Sequence, residues 1–151
     1  MTKDESKVLK DFMEYRIPFN VFLGMRVNHL GDGLAEMMIP SRPELTGDPL
    51  RPALHGGVIS ALADTVGGLA VFTQLNKGQL VSTLDLRVDY LRPGAVDQDV
   101  IARATVVRAG NRVAATHTVV FQDHFDTPIA TANGVYNVAT RRAKTPSSEE
   151  P

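Results

Sequence analysis

The chain contains no cysteine, which excludes disulfide bonds, thiolate metal sites and a cysteine nucleophile. It also has no excess of charge of one sign, since 16 Lys and Arg stand against 17 Asp and Glu for a formal net charge of -1. No global field therefore draws in nucleic acid or a membrane surface, and we expect neither as a partner. An anionic ligand must therefore be held by local groups. In the absence of cysteine, four histidines remain available for chemistry.

Two kinds of long hydrophobic segment are missing as well. Residues 1–10 are rich in charge and lack the apolar core of a secretory signal, so we expect a cytoplasmic protein. The segment 52–76 is nearly free of charge, but it contains His55, Asp64 and several glycines, which argues against a membrane span. With 151 residues, 43% of them hydrophobic, the chain is long enough for one compact domain.

The spacing of apolar residues predicts the order of elements. Charges interleaved with apolar residues predict an amphipathic helix that Pro18 ends, and alternation around Gly31-Asp32-Gly33 predicts a hairpin over 25–39. The breaker-rich segment 41–53 predicts a loop of functional length, and 55–74 predicts a helix that is apolar almost all round. Strands are predicted at 81–91, 100–108, 112–123 and 128–140, with short connections that favour antiparallel pairing.

These elements predict an α+β domain in which an antiparallel sheet curls around one long central helix. We expect an N-terminal helix over 1–18, the domain over 19–140 and a mobile tail over 141–151. Such a sheet has exposed edges, so we expect a dimer or a dimer of dimers. The strand 81–91 alternates strictly between an apolar and a polar face, Leu84, Leu86, Val88 and Tyr90 against Thr83, Asp85, Arg87 and Asp89. The polar face is expected outside, where Asp85, Arg87 and Asp89 form a charged surface.

Asp64 is the most informative position, because it is the only formally charged residue between Arg51 and Lys77. A carboxylate in an apolar helix is costly unless it finds donors, and such groups are frequent in catalytic sites. The alternative is a carboxylate that meets solvent or a structural partner at the helix edge. Its helical neighbours are all small, which predicts close approach of a backbone or a ligand, or tight packing across a dimer: Ser60, Ala61, Gly67 and Gly68.

His55-Gly56-Gly57 lies where the loop meets the predicted helix, and the first turn of a helix exposes unpaired N–H groups that attract anionic oxygen. Glycine allows a developing oxyanion to approach these amides closely. His55 would lie about 13 Å from Asp64 along the helix axis, so the two form no direct dyad. We expect His55 to orient the loop or an adjoining carbonyl.

Together these residues resemble the central-helix motif of hotdog-fold acyl-CoA thioesterases of the PaaI type. The resemblance covers about residues 20–140 and includes a strand that ends in an aromatic residue, a basic residue and proline. It is carried by His55-Gly56-Gly57, Leu62-Ala63-Asp64, Gly68, the strand with Tyr90-Leu91-Arg92-Pro93-Gly94, the turn Gly110-Asn111-Arg112, and Ala130, Ala132 and Gly134.

The resemblance implies a hotdog fold and a site at a dimer interface. It implies that Asp64 acts as nucleophile or general base, that the Gly56 N–H holds the thioester oxygen beside Gly57, and that Thr83 orients the water or the carboxylate. Many relatives carry Asn or Gln shortly before the His-Gly-Gly. This chain does not, and Arg51 or Asp48 could replace that residue.

Thioester hydrolysis needs a base or nucleophile, a positioned water and oxyanion donors, and no metal or separate cofactor. His29, His117 and His124 lack metal-ligand spacing. Coenzyme A, as part of the substrate, adds phosphates for which Arg92, Arg108 and Arg112 are candidates, although each also fits a solvated surface arginine.

Two other functions remain open at this point. A hotdog hydratase or dehydratase would use a histidine and a carboxylate across the interface, and His55 with Asp64 fits that requirement. A non-catalytic acyl-CoA binding module would share the fold without turnover. A transcription-factor role is not expected, because the sequence shows no helix-turn-helix extension and no basic patch.

Overall fold

A computed structural model describes residues 2–76 and 78–140. The N-terminal helix α1 spans Lys3–Tyr15 and begins with a capping box between Thr2 and Glu5. Pro18 does more than end it, because a second helix α2 begins there and spans Pro18–Leu23. Proline suits the first turn of a helix, where its missing N–H would have no intrahelical acceptor. The sequence reading missed α2, and the expected tail over 141–151 lies outside the described residues.

Six strands form one antiparallel sheet in the order β1-β2-β6-β7-β8-β5. The predicted hairpin is confirmed, and Gly33 takes the positive φ of +72° that its tight turn needs. The strands predicted after residue 80 are confirmed within a few residues. The bounds are β1 Arg26–Gly31, β2 Leu34–Ile39, β3 Thr46–Asp48, β4 Ala53–Leu54, β5 Gln79–Tyr90, β6 Val100–Ala109, β7 Val113–Phe121 and β8 Ala130–Thr140.

The segment 41–53 is more regular than its prolines predicted. It holds a 3-10 turn at Pro43–Leu45, and β3 pairs with β4 as a separate two-stranded sheet. The two ends of this segment are joined by a hydrogen bond, because the His55 N–H donates to the Leu45 carbonyl at 2.8 Å. A Cβ on Gly47 would lie 2.7 Å from the His55 Cα, so glycine lets the two backbones approach. The segment therefore holds the residue that precedes the central helix.

The central helix α3 spans Gly56–Phe72 and packs against the main sheet. It contacts β2, β5, β6, β7 and β8, which confirms the expected apolar helix enclosed by a sheet. Its buried side chains join those of the strands in the main core. They are Val58, Ile59, Leu62, Ala63, Val66, Leu69 and Ala70.

Strand β5 departs from the strict alternation that the sequence suggested. Its pairing with β8 runs Thr83 to Tyr136 and then Asp85 to Val135, which leaves Leu84 as the extra residue of a β-bulge. A one-residue shift exchanges the two faces of a strand. Thr83 therefore faces α3 while Leu84 is 60% exposed, so the placement of Thr83 outside and Leu84 inside was wrong.

Beyond the bulge the predicted pattern returns. Leu86 and Val88 pack against the core, and Tyr90 reaches the start of α3. Arg87 and Asp89 form an ion pair at 3.0 Å on the charged outer face. Strand β5 is also one edge of the sheet.

Candidate active site

The Asp64 carboxylate is half-buried in the middle of α3, beside the bulged part of β5. The Thr83 hydroxyl donates a hydrogen bond to its Oδ1 at 2.8 Å. The helix and the edge strand thus bring together two residues that are 19 positions apart in the sequence. This bond fixes one carboxylate oxygen and leaves Oδ2 available to a water or a substrate.

His55 precedes the first residue of α3 and acts as its N-cap. Its Nδ1 accepts a hydrogen bond from the Gly57 N–H at 2.9 Å, so this nitrogen carries no proton in the described arrangement. The Gly56 N–H, by contrast, has no acceptor within the described part of the chain. The helix therefore presents one committed amide at Gly57 and one free donor at Gly56.

Of the two glycines that follow Asp64, Gly67 makes room for a side chain of the same chain, Tyr136. The Tyr136 hydroxyl occupies the space that a Cβ on Gly67 would need, and a Cβ on Gly134 would lie 2.6 Å from the Tyr136 ring. Gly68 has only ordinary contacts with the same ring, at 3.5 Å. Tyr136 thus accounts for the glycine at position 67, whereas the expected approach of a ligand or a second backbone to this helix face stays a prediction.

Tyr136 lies in β8, is 1% exposed and contacts the backbone of Asp64. Its hydroxyl donates to the Asp64 backbone carbonyl at 3.0 Å. Burial, together with the Asp64 charge, raises the pKa of the Tyr136 hydroxyl well above its ordinary value. It therefore stays a neutral donor. The sequence gives a weak signal for this contact, because glycines in both α3 and β8 leave room for one large residue.

A second cluster, also missed from the sequence, lies at the start of α3. The hydroxyls of Tyr90 and Ser60 both lie within hydrogen-bond distance of the Gly56 carbonyl, at 3.0 and 3.1 Å. The two hydroxyls are 2.5 Å apart. Tyr90 belongs to the aromatic-basic-proline motif, which was quoted for the resemblance without a role for the aromatic residue.

Asp48 is hydrogen-bonded within its own turn. Its Oδ1 accepts from the N–H groups of Leu50 and Arg51, and its Oδ2 accepts from the Arg51 side chain at 3.2 Å. The Leu50 and Arg51 amides lower the pKa of the Asp48 carboxyl. Asp48 and Arg51 thus stabilise their own turn, and neither is shown beside Asp64.

Comparison with known proteins identifies the family. The family model of the thioesterase superfamily matches residues 52–127, which contain α3, β5 and β6. The chain belongs to the thioesterase superfamily. It is therefore a hotdog-fold enzyme of the class that hydrolyses thioesters.

Individual members of the superfamily align over most of the chain. The medium/long-chain acyl-CoA thioesterase YigI of Escherichia coli is 32% identical over 145 residues, covering 87% of this chain and 92% of YigI. A Shewanella oneidensis protein related to the thioesterase superfamily has a TM-score of 0.80 at 30% identity, over 92% of this chain and 100% of that one. A thioesterase from Haemophilus influenzae has a TM-score of 0.70 at 29% identity, over 78% and 80%.

The three arginines that are candidates for phosphate binding lie at opposite ends of the sheet. Arg92 follows β5 and donates to the Pro128 carbonyl at 2.9 Å, whereas Arg108 and Arg112 flank the β6–β7 turn. The register separates these two ends by six or more residues, or roughly 20 Å of strand. One chain therefore does not gather all three arginines around one phosphate.

The remaining histidines are peripheral to this site. His29 is exposed on β1, His124 is exposed after β7, and His117 Nδ1 lies 3.2 Å from the Asn133 amide oxygen. Within residues 2–76 and 78–140, His, Asp and Glu side chains form no group of three or more that could hold a metal ion. None of the described helices is long and apolar enough to cross a membrane.

Proposed function

We propose that this chain is an acyl-CoA thioesterase that hydrolyses an acyl-CoA to the free acid and coenzyme A. The observation that carries the proposal is the Asp64 carboxylate, half-buried on the central helix and oriented by the Thr83 hydroxyl. The alignment with YigI over most of both chains supports a coenzyme A thioester as the substrate. Medium-chain and long-chain acyl groups are therefore the first to test.

The geometry suits a hydrolysis in which Asp64 activates water. Oδ2 accepts a proton from the water while the water oxygen forms a bond to the thioester carbon. The carbonyl electrons move to oxygen, and the free Gly56 N–H stabilises the oxyanion. When the carbonyl re-forms, the C–S bond breaks and the coenzyme A sulfur takes up the proton. In the nucleophilic route Asp64 Oδ2 bonds to the thioester carbon, and the C–S bond breaks to release coenzyme A thiolate. Water then hydrolyses the resulting anhydride to the free acid and the Asp64 carboxylate, and the proton released goes to the thiolate.

The two groups that this chemistry needs are too far apart in one chain. Asp64 follows Gly56 by eight helical residues, so about 12 Å of helix axis separates them. A carbonyl group in contact with both a donor and a base spans only about 6 Å between them. The proposal therefore pairs Asp64 of one subunit with the Gly56 N–H of a second copy, in a homodimer or a homotetramer. The free edge of β5, beside Thr83, is suited to this pairing.

Coenzyme A binding is assigned in this proposal to the exposed arginines at the ends of the sheet. Because Arg92 and the pair Arg108 and Arg112 lie at opposite ends of the sheet, we propose that different arginines serve different phosphates or different subunits. Gly57 would contact the thioester end of the substrate beside Gly56. Arginine is suited to such phosphates because its guanidinium binds two oxygens at once.

The test is the release of free thiol from a panel of short-chain, medium-chain, long-chain and aromatic acyl-CoAs. We expect Asp64→Asn to retain fold and assembly while kcat falls at least about a hundredfold, because the amide cannot accept the proton. Asp85→Asn is the matched control, since Asp85 lies on the exposed outer face of the same edge strand. Wild-type turnover by Asp64→Asn would contradict the proposal.

Two further measurements on the wild-type protein distinguish hydrolysis from the two competing functions. Addition of water to an enoyl-CoA without thiol release would identify a hydratase. Tight binding of acyl-CoA with no turnover of any member of the panel would identify a binding module.

A further inference from the structure

The peptide unit between Gly56 and Gly57 is held at both of its polar ends. Its N–H, from Gly57, donates to His55 Nδ1 at 2.9 Å, and its carbonyl, from Gly56, accepts from the Tyr90 hydroxyl at 3.0 Å. Glycine pairs otherwise have wide conformational freedom. Two side chains from outside the helix thus fix the plane of the first peptide of α3.

The preceding peptide carries the Gly56 N–H, the free donor of this turn. Fixing the Gly56–Gly57 plane restricts ψ of Gly56, and the His55 cap restricts the residue before it. The direction of the Gly56 N–H is set by these same torsions. A donor that needs no reorientation during the reaction contributes most to stabilising an oxyanion.

Close contact between Tyr90 and the backbone depends on the glycine at position 56. A Cβ there would lie 3.3 Å from Tyr90 Cε1 and 3.4 Å from its hydroxyl oxygen, tighter than most such contacts. The Tyr90 side chain is 53% exposed, so burial alone does not explain its position against the helix. The contact is made by the polar end of the ring.

We propose that Tyr90 is a positioning residue for the oxyanion-binding amide of Gly56, acting through the Gly56 carbonyl. Ser60 supports it from one turn along α3, with its hydroxyl 2.5 Å from that of Tyr90. This inference rests on the proposed function, because it assigns a role within the same hydrolysis. It gives the aromatic residue of the strand motif a task that the sequence alone did not indicate.

The test compares three variants with wild type and Asp64→Asn in one thiol-release assay. We expect Tyr90→Phe to lower kcat about tenfold or more, with KM and inhibition by free coenzyme A changed less than about twofold, because only transition-state stabilisation is lost. Ser60→Ala should lower kcat severalfold, less than Tyr90→Phe, because the Tyr90 hydroxyl keeps its bond to the Gly56 carbonyl but loses the neighbouring hydroxyl that orients it. Tyr15→Phe removes the same hydroxyl from another exposed tyrosine, on α1, and should keep wild-type kinetics.

The outcomes separate this inference from the proposed function. Absence of Asp64-dependent thiol release overturns both. Asp64-dependent release with kcat unchanged in Tyr90→Phe overturns the positioning role alone, as does a loss confined to KM. If Tyr90→Phe fails to fold or assemble, Ser60→Ala decides: a severalfold loss of kcat supports the role, and an unchanged kcat overturns it.

Discussion

The hydrogen bond from Thr83 to Asp64 is the contact that most directly orients the carboxylate of the candidate base. A neutral hydroxyl that donates to a carboxylate contributes about 1.5–3 kcal/mol, a typical range for bonds to charged groups. The bond also restricts the rotamer of the carboxylate and leaves Oδ2 for the water that the proposed hydrolysis needs. Its loss would therefore be felt mainly in kcat.

We expect Thr83→Val to lower kcat roughly tenfold to a hundredfold, the equivalent of that bond energy. Valine keeps the branched shape that suits a strand, so the fold should persist. Thr83→Ser retains the hydroxyl and should stay within a few fold of wild type. Steady-state thiol release measures both variants, and equal rates for valine and serine would show that the hydroxyl has no part in turnover.

At the scale of elements, the central helix and β8 meet through a tyrosine wedged between two glycines. Gly67 in α3 and Gly134 in β8 both lie where a Cβ would collide with Tyr136. Gly68, the next residue in the helix, has only ordinary contacts. Alanine at these two adjacent positions is therefore expected to have opposite effects on stability.

We expect Gly67→Ala to lower the free energy of unfolding by about 1–3 kcal/mol, the usual cost of overpacking. Gly68→Ala should be neutral or stabilising by up to about 1 kcal/mol, because alanine is the better helix former. Adding Tyr136→Phe to Gly67→Ala should restore part of the loss by removing the nearest atom. Urea unfolding measures all of these variants, and equal effects of the two alanines would contradict the wedge.

Most elements were predictable because their apolar spacing is local information. The helix over 55–74, the hairpin around Gly31-Asp32-Gly33 and the later strands follow from period and turn residues alone. Helix α2 was hidden because Pro18 both ends one helix and begins the next. The glycines of α3 and β8 give only a weak signal for the contact between Tyr136 and Gly67, because that contact depends on how two distant elements pack.

The site divides in the same way. Asp64 stands out as a lone charge in an apolar helix, whereas its relation to Thr83 depends on a bulge that composition does not mark. The family resemblance supplied Thr83 where strict alternation pointed away from it. The contact of the Tyr90 and Ser60 hydroxyls with Gly56 could not be predicted from the sequence, because it depends on how β5 lies against α3.

At the scale of the whole molecule, an edge strand of 12 residues is left without a neighbour on one side. It also carries exposed apolar side chains, with Leu80 51% and Leu84 60% exposed. The open side of an edge strand presents backbone N–H and C=O groups that can pair with a strand of another chain. We expect light scattering to give at least twice the chain mass of 16.4 kDa.

Mixing two inactive variants tests whether the subunits share a site. Asp64→Asn lacks the base, and Gly56→Pro lacks the N–H donor while keeping a residue that suits the first turn of a helix. A mixed dimer holds one site with Asp64 from one chain and the Gly56 N–H from the other. We expect mixed dimers to regain up to about half of the wild-type kcat, while each parent stays at least about a hundredfold slower. Mixed dimers that form but stay inactive would contradict a shared site.

The bulge at Leu84 also determines which side chains of β5 share a face. Thr83 and Tyr90 both face α3, yet the number of steps between them is odd, and on an unbroken strand such a pair would point in opposite directions. The single extra residue therefore lets one strand serve both the base and the helix start. Deleting Leu84 would leave every other side chain chemically unchanged, yet β5 could then no longer direct both Thr83 and Tyr90 towards α3, and one end of the candidate active site would be lost.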